Sequence, residues 1–223
     1  MPPFDALPSR DRSSRAVKLS GETFAMLINL SGRRRFTSQR LVLYAVLATR
    51  GGQDAIATAR DALRLFTEAH AILVNGNDQL PGVFCEELEA VYFGKEHGDA
   101  RIHDFIGLAN RALNAVEQGT PEGAALVDRL VAMATPLLAI LNRITLVYEE
   151  LSKRHASRVR KQLVGIMSDI EAIARQARMV AFNAQIVAAR AGSAGKEFSV
   201  VAGVLSDITG EIDALVKEAM NDA

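Results

Sequence analysis

Four arginines crowd one short window, Ile28-Asn29-Leu30-Ser31-Gly32-Arg33-Arg34-Arg35-Phe36-Thr37-Ser38-Gln39-Arg40. At helical spacing the stripe Phe24, Ile28, Ser31, Arg35, Ser38, Val42 is broken by Arg35, with a small hydroxyl residue one turn before it and one turn after. A guanidinium in an apolar seam is costly unless a carboxylate, a carbonyl or an anion meets it. No acidic residue lies between Glu22 and Asp54, so the partner comes from another helix or from outside. If two copies of this helix met at a two-fold axis, two Arg35 side chains would repel until an anion bridged them. Ligand occupancy would then set how closely the helices approach. Seam position alone leaves a second reading open, in which Arg35 snorkels out to water. Arg33, Arg34 and Arg40 read as a solvated basic face.

Other reactive groups are sparse. His70, His97, His103 and His155 share no metal-ligand spacing, so neither a metal nor another cofactor is expected. Cys85 lies beside Glu86 and Glu87, which raise a thiol pKa, and it is the single cysteine, so no disulfide framework forms within one chain. Phosphate loops, nucleophile elbows and paired catalytic carboxylates are missing from the sequence, which points away from an enzyme. Over 223 residues, 26 basic side chains balance 26 acidic ones. Bulk attraction to nucleic acid is therefore not expected.

The elements that position these groups are helical almost throughout. Helices are expected at about Ser20–Arg50, Asp54–Val74, Asp99–Glu117 and Glu122–Gly192, the last kinked at Pro136, with an irregular stretch after Pro81. The apolar stretch Ala124–Val147 carries Asp128, Arg129, Pro136 and Arg143, so it reads as a core helix and not a membrane span. No secretory signal is expected in Met1–Lys18, and the protein is expected to be soluble and cytoplasmic.

In the last third, Leu163, Ile166, Ile170, Ile173, Ala177, Val180, Ala184, Val187 and Ala191 alternate spacings of three and four. The pattern resumes at Phe198, Val201, Leu205, Ile208, Ile212, Leu215 and Ala219, after the glycine-bracketed Gly192-Ser193-Ala194-Gly195. Two heptad helices joined by a short turn form an antiparallel hairpin, whose stripe a second copy would cover in a four-helix bundle. The expected organisation is an all-α chain. A tail (1–19) precedes an N-terminal four-helix bundle (20–152), whose long fourth helix leads into an antiparallel coiled-coil hairpin (153–223).

The window Ile28 to Arg40 resembles the start of the sensor domain of type IV pilus methyl-accepting chemotaxis transducers. It is similar, more remotely, to the nitrate/nitrite-sensing domain of bacterial histidine kinases. The shared positions are Ile28, Asn29, Leu30, Ser31, Gly32, Arg33, Arg35, Ser38, Gln39 and Arg40, and Arg34, Phe36 and Thr37 depart from the pattern. The resemblance implies a bundle that dimerises through its first helices and grips a planar anion such as nitrate or nitrite at Arg35. Ser31, Gly32 and Ser38 flank that position as candidate ligand-binding residues. Family members normally sit outside a membrane between spanning helices.

The segment Ile173 to Gly192, continuing through Gly195 to Ala202, resembles the signalling tip of methyl-accepting chemotaxis proteins. By that resemblance Phe182, Asn183, Ile186, Arg190, Phe198 and Val201 are partner-binding residues for a chemotaxis histidine kinase, its adaptor or a full-length transducer. Val187, Gly203-Val204 and Ser193-Ala194 stand where the family carries acidic residues, and Ala177-Arg178 where it carries Thr-Asn. The charges that would pair Arg190 between dimers are thus absent, and Glu149-Glu150 is expected to be unmethylated. The expected function is an oxyanion sensor that signals through this hairpin, with a ligand-free scaffold pairing with transducers as the alternative.

Overall fold

The computed structural model describes residues 19–222, so the expected N-terminal tail lies almost wholly outside the described residues. The described residues are all helical apart from turns. They comprise α1 (Gly21–Thr49), α2 (Ala55–Asn75), α3 (Glu86–Phe93), α4 (Gly98–Glu117), α5 (Gly123–Arg190) and α6 (Lys196–Asp222). By contacts the chain divides into two compact units, Met1–Lys153 and Arg154–Ala223.

Local chemistry sets the helix ends in the first unit. The Ser20 hydroxyl caps α1 by accepting from the Thr23 amide at 3.2 Å. Gly51, at φ 75°, ends the same helix in a conformation that disfavours side chains. After α2, Asn77 Oδ1 accepts from the Gln79 and Leu80 amides, which turns the chain sharply. Gly76 and Gly82 pass so close in that turn that a Cβ on either would meet backbone. The stretch after Pro81 then forms the short helix α3, which the periodicity did not reveal. Three glutamates in its first turn favour it, since negative charge stabilises a helix N-terminus.

The core of this unit is one cluster. It takes Leu27 and Leu41 from α1, Phe66 and Leu73 from α2, Phe105 and Leu113 from α4, and Leu130, Leu141 and Ile144 from α5. Phe66 and Phe105 meet edge to face at 5.6 Å, tying α2 to α4. Helix α5 is the one described helix long and apolar enough to cross a membrane by length and composition, and a third of its most apolar window is buried in the core. Pro136 lies within α5 on its exposed side, so the carbonyl deprived of its donor stays accessible to water.

The second unit is a hairpin, with Gly192–Gly195 forming a 3-10 turn between α5 and α6. Its buried positions are Ala174, Ala181 and Ala188 on one arm and Gly195, Ala202, Thr209 and Val216 on the other, each spaced by seven. A Cβ at Gly195 would collide with the Ala188 carbonyl, so the helices close up on small residues. This corrects the expected seam. Leu163, Ile166, Ile173, Val180 and Val187 all face outward, as do Phe198, Val201, Ile208 and Leu215. Small side chains let the backbones approach; the large ones, excluded from that narrow contact, form an uncovered stripe. Arg178 crosses the hairpin to Asp213 at 2.7 Å, passing over Gly210, which leaves room for it.

Candidate functional site

The arginine window folds differently from its expected register. Arg34, expected on a solvated face, is fully buried, whereas Arg35 is half-buried. The buried stripe of α1 runs Leu27, Ser31, Arg34, Ser38, Leu41, Ala45. Ser31 and Ser38 belong to both candidate stripes, and the large apolar residues Leu27 and Leu41 turn the helix toward Arg34. Arg33 is exposed and Arg40 half-buried, the latter over the Tyr44 ring.

The candidate ligand residues are therefore split. Arg35 donates to Asn142 Oδ1 of α5 at 3.2 Å, and Gly32 lies beside its guanidinium. Ser31 instead meets Arg34, and the Ser38 hydroxyl donates to the Arg35 backbone carbonyl at 2.8 Å. Phe36 and Leu43, 66% and 56% exposed, lie outward on the same helix.

Around Arg34 the donors run in one direction. Its Nη2 donates to the Ser31 hydroxyl at 3.3 Å. Thr145 spends its own proton on the Leu141 carbonyl at 2.8 Å, so Ser31 donates to Thr145 across 2.8 Å. On the other side Arg34 Nη1 lies 3.1 Å from His70 Nδ1, and His70 Nε2 lies 3.1 Å from Asp99 Oδ1. The guanidinium stands 5.7 Å from the centre of the Tyr92 ring. No carboxylate touches Arg34 among the described residues; Asp99 is reached only across the imidazole.

Arginine has no acceptor, so the Arg34 contact makes Nδ1 of His70 the acceptor and leaves the ring proton on Nε2, donated to Asp99. Burial, then the Arg34 charge, then His103 lower the His70 pKa to about 3, so the ring is neutral although Asp99 sits on its far nitrogen. His70, Asp99 and His103 place one ligand atom each within 4.8 Å of one another, a grouping that sequence spacing did not reveal. With Arg34 in place, however, Nε2 is protonated and is not a free metal ligand. The cluster works as a relay that brings Asp99 to bear on a buried cation.

Two further groups complete the surroundings. Among the described residues the hydroxyls of Tyr92 and Tyr148 are buried with no close partner beyond one another, and Arg34 Nε has none. Burial raises the Tyr148 pKa well above its ordinary value, with Tyr92 adding to the effect, so the phenol stays protonated. Cys85 has a raised pKa as well; burial is the main cause and the Glu87 carboxylate a lesser one.

In the hairpin, Phe182, Asn183, Ile186, Arg190, Phe198 and Val201 are all exposed. They flank the glycine turn on both arms and present two aromatic rings and a cation to solvent. The sequence pattern of the methyl-accepting chemotaxis protein (MCP) signalling domain matches residues 108–222, which is 115 of the 223. The chain belongs to this family.

The MCP signalling domain is a module of chemotaxis-type signal transduction. It is 37% identical over 86 residues to the methyl-accepting chemotaxis protein TlpQ of Pseudomonas aeruginosa. That stretch covers 39% of this chain and 11% of the relative, so the match spans about a tenth of the relative's length. No solved structure matches. The MCP pattern begins inside α4 and includes all of α5, reaching well upstream of the hairpin.

Proposed function

We propose that this MCP-family chain is a cytoplasmic, homodimeric sensor. Its N-terminal bundle takes up a small oxyanion such as nitrate or nitrite at the dimer interface near Arg35. The hairpin passes the change to a chemotaxis kinase, an adaptor or a full-length transducer. The observation that carries this reading is the Arg35 side chain. Half-buried, it has the neutral Asn142 amide as its one partner among the described residues and shares an outward helix with exposed Phe36 and Leu43. A second copy laid on that face would bring two such cations together, and a planar anion would relieve their repulsion.

The relay rests on α5. One helix supplies Leu137, Leu141 and Ile144 to the bundle core and Ala174, Ala181 and Ala188 to the hairpin seam. The uncovered stripe from Leu163 to Val187 has the heptad spacing of a dimer of hairpins. Calorimetric titration of nitrate and nitrite into wild type and Arg35→Ala tests the ligand. Heat in wild type that disappears in the variant is expected; identical flat traces would remove the oxyanion.

A second reading, a ligand-free scaffold that exchanges into transducer dimers, draws on the hairpin alone. Val187, Gly203 and Val204 stand where acidic residues are usual in the family, which leaves Arg190 exposed. Capture of a purified full-length transducer, unaffected by Arg35→Ala, is the outcome that favours it.

A further inference from the structure

Burial of Arg34 is costly, and the groups that touch it carry no compensating charge. Two guanidinium nitrogens have partners, the Ser31 hydroxyl and the His70 ring, both neutral. The third, Nε, has none. The hydroxyls of Tyr92 and Tyr148, each fully buried, have no close partner among the described residues and reach only one another. A buried polar group left unpaired costs stability, and an uncompensated buried cation costs more. Three such groups together, all able to donate, are therefore an unusual concentration for a native core.

Their placement relates them. The Arg34 guanidinium lies 5.7 Å from the Tyr92 ring centre, and the Tyr148 phenol is influenced by both Tyr92 and Arg34. Ser31 and Thr145 cannot fill the gap, because their protons are committed to Thr145 and to the Leu141 carbonyl. Asp99 is one imidazole away and part of its charge is spent on His70. What remains is a buried cation with spare donors at Nε and on the tyrosine pair, and no counter-charge in direct contact.

We infer that Arg34 Nε and the hydroxyls of Tyr92 and Tyr148 form an internal site for one spherical halide anion, within a single subunit. A monovalent ion matches the single uncompensated charge. A dianion such as sulfate or phosphate would bring a second charge into a fully buried place and pay a larger desolvation cost. A water would satisfy the donors but leave the cation uncompensated. This site is separate from the proposed one at Arg35. It needs no second subunit, and it joins α1 (Arg34), α3 (Tyr92) and α5 (Tyr148).

Bromide is the probe, because it is small, monovalent and visible by anomalous scattering. Crystals of the full chain in sodium bromide should show an anomalous peak within hydrogen-bond reach of Arg34 Nε and a tyrosine hydroxyl. In solution, bromide should raise the thermal midpoint above that in fluoride at equal ionic strength. The apparent bromide affinity should fall about tenfold in Tyr148→Phe, which removes one charge-assisted hydrogen bond and little volume. Arg34→Met tests the cation directly, and Tyr92→Phe and Tyr148→Phe keep the test valid if that variant does not fold. Arg35→Ala should leave the bromide effect intact, which separates this site from the interface one. A normal water peak without anomalous signal at saturating bromide overturns the inference. So does a bromide effect unchanged in both tyrosine variants.

Discussion

Arg34 holds His70 in a single tautomer: its Nη1 lies 3.1 Å from Nδ1, and a group that can only donate turns that nitrogen into an acceptor. The ring proton is thereby placed on Nε2, against Asp99. One cation on α1 thus fixes the protonation of a histidine on α2 and, through it, the hydrogen bonding of a carboxylate on α4. Much of the behaviour of the first unit follows from that relation.

The acid side of the stability curve should report it. His70 has a pKa of about 3 in the fold, against 6.5 ordinarily. Below about pH 6.5 the unfolded chain binds a proton that the folded chain refuses, so stability is complete above that pH and is lost as pH falls toward 3. Glutamine can accept from Arg34 and donate to Asp99 without titrating. In urea unfolding from pH 7 to pH 4, His70→Gln should flatten the slope by at most about 1.4 kcal/mol per pH unit. Parallel curves for the two proteins would refute the neutral imidazole.

The same tautomer bears on metals. Zinc should bind poorly to His70, Asp99 and His103 in wild type, because Nε2 carries the proton. In Arg34→Met, Nδ1 is free to take that proton and Nε2 becomes a ligand, so zinc affinity should rise about tenfold or more by calorimetry. Equal affinities in the two proteins would show that Arg34 does not set the ring.

The hairpin seam should resist enlargement. A Cβ at Gly195 meets the Ala188 carbonyl, and Ala181 is fully buried. Gly195→Ala and Ala181→Leu should each destabilise the hairpin by about 1–3 kcal/mol. Faster amide exchange in α6, with exchange in α1 and α2 unchanged, is the expected signature.

The outward stripe should behave oppositely. Val180 and Val187 are 62% and 61% exposed in one chain, so charge there costs the single hairpin little. The double variant Val180→Asp, Val187→Asp should shift sedimentation equilibrium toward monomer while circular dichroism stays helical. A dimer of undiminished strength would rule this stripe out as the contact between copies.

Much of the architecture was legible because its signals are local. The start of the first helix near Ser20 and the bracketed turn at Gly192–Gly195 each depend on a few neighbouring residues, and the all-α expectation holds. Helix α3 escaped notice because eight residues hold too few turns to display a period. Arg34 is hard to place from sequence for a subtler reason. Its stripe and the Arg35 stripe share Ser31 and Ser38, and differ by one residue between them. Leu27 and Leu41 decide the register, since they share the buried stripe of α1 with Arg34 and not with Arg35. His70, 36 residues away, could not be paired with Arg34 by any local pattern. In the hairpin the heptad spacing was visible, but which face meets its own arm depends on side-chain size across the gap. There the alanines, not the larger residues, make the contact.

The central claim is that the state of the bundle reaches the signalling hairpin, and hydrogen exchange measures it most directly. Amide exchange across residues 174–205 should be recorded with and without saturating nitrite, in wild type and in Arg35→Ala. The account predicts altered protection around Phe182 and Phe198 in wild type and none in the variant. Bound nitrite with unchanged exchange throughout the hairpin would contradict it.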